Sequence, residues 1–90
     1  MKRVHIVISG KVQGIFFRSF IKSHAVLLKL KGYVKNTFDG KVEAVFEGLE
    51  DNIKKMLELC KKGPESSKVI NINIKEETFK NEFKDFEVKY

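Results

Sequence analysis

The residues best suited to chemistry lie between Gly10 and Arg18, in the order Gly-Lys-Val-Gln-Gly-Ile-Phe-Phe-Arg. Gly10 and Gly14 allow positive φ angles and a close approach of the backbone to a ligand. A glycine-rich turn that enters a helix presents unpaired backbone N–H groups and the positive end of the helix dipole. Arg18 adds a permanently charged planar group that can donate to two phosphate oxygens at once. The types and order of these residues predict a phosphate-binding loop.

Other phosphate-binding motifs do not fit this spacing. A P-loop requires G-x-x-x-x-G-K-[ST], whereas Ile15 and Phe16 follow the second glycine, and the dinucleotide pattern G-x-G-x-x-G is absent. A cysteine-phosphatase loop would place its thiol six residues before Arg18, where Val12 stands. The first aspartate of the chain is Asp39, far beyond the loop. These residues argue against a covalent phosphoenzyme intermediate on the loop.

Hydrophobic periodicity predicts the elements that position this loop. Alternating and β-branched stretches predict strands at residues 4–9, 32–38, 41–47 and 69–75 and a last short strand near 86–90, and spacings of three and four predict helices at 16–28 and 49–62. In the fourth strand Ile70, Ile72 and Ile74 are expected on one face. The order β-α-β-β-α-β is that of the ferredoxin-like split βαβ fold. We therefore expect one α+β domain over residues 1–90, with an antiparallel sheet, both helices on one face and a short C-terminal strand.

The predicted topology places Asn36 beside the loop. The first strand rises to the loop, the helix returns to the other end of the sheet, and the second strand climbs again and ends near Asn36. Strand alternation places Asn36 with Val34 and Phe38 on the face that the helices cover. Arg18 and Asn36, eighteen positions apart in the chain, are therefore predicted to meet at one end of the sheet.

Two stretches of the chain resemble the signatures of the acylphosphatase family. Residues 10–18 match G-x-V-Q-G-V-x-F-R, except that Ile15 stands where valine is usual. Gly-Tyr-Val-Lys-Asn at residues 32–36, followed by Asp-Gly-Lys-Val at 39–42 and Gly48, matches the second signature. The resemblance covers essentially the whole chain. It implies an acylphosphatase, an enzyme that hydrolyses the carboxyl–phosphate bond of a small-molecule acyl phosphate to a carboxylate and inorganic phosphate, without a metal or other cofactor.

The resemblance also implies roles for individual residues. The phosphoryl group would be bound by the Arg18 side chain and by the backbone amides of the loop, which comprise Lys11, Val12, Gln13, Gly14, Ile15, Phe16, Phe17 and Arg18. Asn36 would orient the attacking water, and Thr37 is a secondary candidate for supporting the site. Neither Arg18 nor Asn36 can serve as a general base at neutral pH, so the substrate phosphate is expected to accept the proton of the water. One departure is Lys29, where the family commonly has glycine; because lysine is strained in a left-handed helix end, the first helix is predicted to end differently.

Charge is unevenly distributed along the chain. Residues 1–38 carry eight lysines and arginines and no acidic residue, whereas residues 39–90 carry ten cations and twelve acids, so the two parts hold +8 and −2 of the net +6. The excess of positive charge in residues 1–38 indicates either a solvated surface or a part of the chain that binds an anion. Composition alone does not decide whether that anion is a nucleic acid, an acidic membrane or a phosphorylated small molecule. The single cysteine, Cys60, cannot form an internal disulfide, and no apolar run is long enough to span a bilayer. We expect a cytoplasmic monomer without a membrane partner.

Two other functions remain open from the sequence. A phosphate-binding module without turnover would carry the same loop. RNA-recognition domains share the βαββαβ order, but they need aromatic side chains on the two central strands. Residues 41–47 offer two carboxylates and a single aromatic, Phe46, and the first strand offers only His5. Nucleic-acid binding is therefore not expected.

Overall fold

Five strands and two helices account for most of the computed structural model, which describes residues 1–90. In chain order they are β1 (Lys2–Lys11), α1 (Phe17–Leu27), β2 (Lys31–Asn36), β3 (Val42–Gly48), α2 (Glu50–Lys62), β4 (Lys68–Glu77) and β5 (Phe86–Lys89). The strands form one sheet in the order β4-β1-β3-β2-β5. This arrangement confirms the expected ferredoxin-like α+β fold. Neither helix is long and apolar enough to cross a membrane.

The sheet is mixed, and in this respect the prediction of an antiparallel sheet is wrong. The pairs β1–β3, β1–β4 and β2–β3 are antiparallel. The pair β2–β5 is parallel, with Gly32 opposite Phe86. The chain leaves β4 at the end of the sheet opposite the loop and crosses to β5 at that same end. There the Arg3 guanidinium binds Glu77, the last residue of β4, at 2.9 Å and Glu82, within the connecting segment, at 2.5 Å. Because β5 starts from the same end as β2, the two strands run in the same direction.

Both helices cover one face of the sheet. Alternate residues of β1, namely Val4, Ile6 and Ile8, are buried in the hydrophobic core. The helices meet them with residues spaced three or four apart, which share one side of a helix. These residues are Phe17, Ile21 and Ala25 of α1 and Ile53, Met56 and Cys60 of α2. The odd-numbered residues of β1 therefore lie on the opposite, open face of the sheet.

A β-bulge at Ile70 changes which side chains of β4 face the core. Ser9 pairs with Asn71, but Gly10 pairs with Val69, so Ile70 is an extra residue without a partner. Ile70 is 74% exposed, and Val69 packs against the core instead. The prediction that Ile70 shares a face with the isoleucines after it is therefore wrong. Gly10 has φ 127, and a Cβ there would lie 2.1 Å from the Lys68 carbonyl oxygen, so only glycine fits opposite the bulge.

Helix α1 ends in a left-handed residue although that residue is Lys29. Lys29 has φ 57. The Leu30 N–H donates to the Ala25 carbonyl at 2.9 Å, and the Lys29 N–H donates to the Val26 carbonyl at 3.0 Å. These two hydrogen bonds form a Schellman motif. The prediction that this helix would end differently is wrong, because the two bonds and the burial of Leu30 outweigh the strain of the lysine backbone.

Candidate active site

One cavity lies where β1, α1 and β2 meet, at the end of the sheet that holds the glycine-rich loop. Its volume is about 340 Å³. The structure brings Arg18 and Asn36 together here, as the topology of the sequence predicted. The residues that line the cavity are Val12, Gly14, Phe16, Phe17, Arg18, Ser19, Asn36 and Tyr90.

The loop bends through two left-handed residues before α1 begins. Gly14 has φ 74 and Phe16 has φ 62. A non-glycine residue in this region costs about 1–2 kcal/mol, and such strain is concentrated at functional sites. No side chain caps the N-terminus of α1 at Phe16. The N–H groups of the first turn therefore have neither a partner within the helix nor a side-chain cap, an arrangement that suits anion binding.

Gln13 connects this loop to the β2–β3 hairpin. Its Nε2 donates to the Thr37 carbonyl at 2.9 Å and to the Lys41 carbonyl at 2.8 Å. The Gln13 side chain is directed away from the cavity lining, and its two hydrogen bonds hold the loop against the residues that follow Asn36. Of the eight predicted loop residues, Val12, Gly14, Phe16, Phe17 and Arg18 line the cavity, whereas Lys11, Gln13 and Ile15 do not.

Arg18 carries a charge that no carboxylate of the chain neutralises. Its Nη1 lies 3.5 Å from the Lys89 carbonyl, and the Tyr90 ring lies under the guanidinium, 4.6 Å from ring centroid to Cζ. None of the ion pairs of the protein includes Arg18. The other arginine, Arg3, is bound by three carboxylates and is nearly buried, so its donors are committed. Arg18 is therefore the arginine that can bind an external anion.

Asn36 presents a buried oxygen without a partner. Its Oδ1 is the one buried side-chain nitrogen or oxygen atom in the protein that makes no hydrogen bond. Buried polar atoms normally have a partner, and an orphaned one needs an explanation. The amide oxygen can accept a hydrogen bond from water and the amide nitrogen can donate one. Strand β2 ends at Asn36, so Phe38 lies in the following turn and is fully exposed, not on the helix-covered face as predicted.

Thr37 shapes the turn that follows Asn36. Its hydroxyl donates to the Asp39 carboxylate and accepts the Lys41 N–H at 3.0 Å. The hydrogen bond from Thr37 is the main reason that the pKa of Asp39 lies below its usual value. The Thr37 hydroxyl is thus used within the hairpin, and the residue does not line the loop cavity.

Two residues of the cavity were not identified from the sequence. Ser19 follows Arg18 in the first turn of α1, and its position in that turn, next to the loop, could have identified it from the sequence. Tyr90 reaches the cavity because β5 pairs parallel to β2. Nothing in the local sequence indicated that pairing.

The lining of the loop cavity contains no His, Cys, Asp or Glu side chain. The protein contains no group of three or more His, Cys, Asp or Glu side chains placed to hold a metal ion. Cys60 is buried in the core, and burial raises the pKa of its thiol to about 12. The positive charge of the cavity therefore comes from Arg18 and the backbone N–H groups.

Comparisons with known proteins identify the family. Residues 4–88 match the family model described as Acylphosphatase. The chain is 41% identical to the acylphosphatase of Syntrophus aciditrophicus, covering 100% of this chain and 94% of that protein, and 47% identical to that of Pyrobaculum aerophilum, covering 98% and 94%. The crystal structure of acylphosphatase from Bacillus subtilis superposes with a TM-score of 0.96 at 37% identity, covering 100% of both chains. The sequence motifs, the fold and these matches agree, and the chain belongs to the acylphosphatase family, the hydrolases of acyl phosphates.

Proposed function

We propose that Arg18 and the loop amides bind the phosphoryl group of an acyl phosphate and that Asn36 orients the water that attacks it. The observation that carries this proposal is the buried, unpaired Oδ1 of Asn36 at the cavity that also holds the uncommitted Arg18 guanidinium. The two groups supply what the reaction needs: positive charge for the phosphoryl oxygens and a polar atom to position a water.

The proposed reaction needs no nucleophilic side chain. A water oxygen forms a bond to phosphorus while the bond between phosphorus and the acyl oxygen breaks, so the carboxylate leaves with that electron pair. A phosphoryl oxygen accepts the proton of the water. An acyl phosphate is already activated, and positioning with charge stabilisation can supply most of the acceleration. Because Arg18 and the backbone N–H groups supply the positive charge, we propose that turnover is independent of metal.

We propose further that the protein does not bind nucleic acid. The open face of its central strands carries Arg3, His5 and Val7 on β1 and Glu43, Val45 and Glu47 on β3. Glu43 contacts the His5 ring at 2.6 Å and Glu47 contacts the Arg3 guanidinium at 3.2 Å, so both of these donors already have partners. No aromatic ring lies on these two strands at this face, and RNA-binding sheets need such rings for stacking.

We also propose that residues 1–90 act as one monomeric domain in the cytoplasm. Both helices pack into one hydrophobic core, and Cys60 is a buried free thiol of the kind found in reducing compartments. Light scattering of the purified protein measures the mass directly. A dimer mass would contradict the proposed state.

The test of the catalytic roles is phosphate release from acetyl phosphate in the presence of a chelator. Arg18→Lys is expected to abolish most phosphate binding because the planar bidentate donor is lost. Asn36→Ala is expected to lower kcat by about 10²–10³, the usual cost of one preorganised polar group. The matched controls are Lys22→Ala, one helical turn beyond Arg18, and Asn71→Ala, an exposed asparagine of β4. Full turnover by Asn36→Ala would reject its role, and loss of activity on chelation would reject metal independence.

A further inference from the structure

Phe16 places an exposed phenyl ring at the mouth of the loop cavity. The residue is 85% exposed, whereas its neighbour Phe17 is 1% exposed and lies beneath the cavity. The backbone of Phe16 is left-handed, a conformation that glycine or asparagine adopts at lower cost. Folding alone would favour a small or polar residue at this position, because the ring gains no burial in the protein. The ring is therefore available for contact with something outside the chain.

A second groove lies on the other side of Asn36. Its volume is about 460 Å³, and it is lined by Lys35, Asn36, Thr37, Phe38, Glu43 and Tyr90. The two cavities share Asn36 and Tyr90. Phe16 borders only the loop cavity, and the exposed Phe38 borders only the second groove. Asn36 thus stands between them, and water can approach it from the second groove.

The geometry of phosphoryl transfer assigns the two sides different roles. The attacking and the leaving oxygen lie roughly in line, on opposite sides of phosphorus. If Asn36 holds the water, the acyl group points away from Asn36 and from the second groove. Phe16 lines the loop cavity but not the second groove, so its ring is the exposed apolar group available on the side of the acyl group.

We propose that the Phe16 ring contacts the acyl group of the substrate and favours acyl phosphates whose acyl group is aromatic or similarly extended and apolar. This proposal rests on the roles proposed above for Arg18 and Asn36. An aromatic acyl group can pack against the ring, whereas the single methyl group of acetyl phosphate is too small to cover it. The contact contributes to binding in the ground state and in the transition state, so it raises kcat/KM mainly through KM.

The test compares kcat/KM for benzoyl phosphate with kcat/KM for acetyl phosphate. In Phe16→Asn, which tolerates the left-handed backbone, this ratio is expected to fall about three- to tenfold relative to the unchanged protein, the range of one aromatic contact. The different intrinsic reactivities of the two substrates cancel in this comparison. Phe16→Tyr keeps the ring and is expected to keep the ratio. Phe38→Ala is the matched control, since it removes another exposed phenyl ring, one that borders the second groove, and it is also expected to keep the ratio.

The outcomes separate this proposal from the catalytic roles. Damage to the loop in Phe16→Asn would slow both substrates equally and weaken inhibition by inorganic phosphate, but it would leave the ratio unchanged. An unchanged ratio in Phe16→Asn, or an equal fall in Phe38→Ala, overturns the acyl-group contact. Arg18→Lys and Asn36→Ala are expected to slow both substrates alike. If these two variants remain fully active, the catalytic roles fail whatever the ratio shows.

Discussion

Replacing Lys29 with glycine is expected to stabilise the protein although it removes a side chain. Lys29 has φ 57, and the left-handed region costs a residue with a Cβ about 1–2 kcal/mol. Glycine avoids this cost, but its greater freedom in the unfolded chain takes back about 0.4–1 kcal/mol. The free energy of unfolding should therefore rise by about 0.5–1 kcal/mol, which corresponds to an increase in Tm of roughly 2–8 °C for a domain of this size.

Lys22 supplies the matched control for this measurement. It is an exposed lysine in the interior of the same helix, where glycine is unfavourable by about 0.5–1 kcal/mol. Lys22→Gly should therefore lower the midpoint of urea unfolding, followed by circular dichroism, while Lys29→Gly raises it. If both variants lower the midpoint, backbone strain does not govern the end of α1 and the reasoning is refuted.

Two further predictions follow from hydrogen bonds outside the cavity. Gln13→Ala removes the Gln13 donor from the Thr37 and Lys41 carbonyls, which keep the Gly40 N–H and the Thr37 N–H as donors, so the free energy of unfolding should fall by about 0.5–1.5 kcal/mol, the net value of a hydrogen bond. The value of kcat/KM should also fall as the loop loosens, and an unchanged kcat/KM would show that Gln13 does not position the loop. Burial opposes ionisation of Glu43, but hydrogen bonds from His5 and Lys35 outweigh it and hold the pKa of Glu43 below its ordinary value of 4.5. The stabilising contribution of Glu43 is thus present above pH 4.5 and is lost as the pH falls through the lower pKa of the folded state. In Glu43→Gln the free energy of unfolding should therefore depend less steeply on pH in the acid range. An unchanged pH dependence would contradict this account.

Much of the site could be predicted because its parts are local. The loop of residues 10–18 and the helix after it are close in sequence, and glycine and arginine chemistry is independent of the rest of the chain. Asn36 could be added from topology, since two parallel strands joined by a helix end on the same side of the sheet. The role of Gln13 could not be predicted from the sequence, because its side chain could donate to many carbonyls. Only folding brings the Thr37 and Lys41 carbonyls within its reach.

By itself the sequence determined the order of the elements, the family and the charged loop, because periodicity and motif spacing are properties of neighbouring residues. Only the tertiary structure decided the parallel pairing of β5, the exposure of Ile70 and the placement of the Tyr90 ring against Arg18. Each of these depends on contacts between distant segments: the crossing held by Arg3, the bulge opposite Gly10, and the end of the sheet where the last strand meets α1. Such pairings are selected by packing across the whole sheet, and local propensity carries no signal for them.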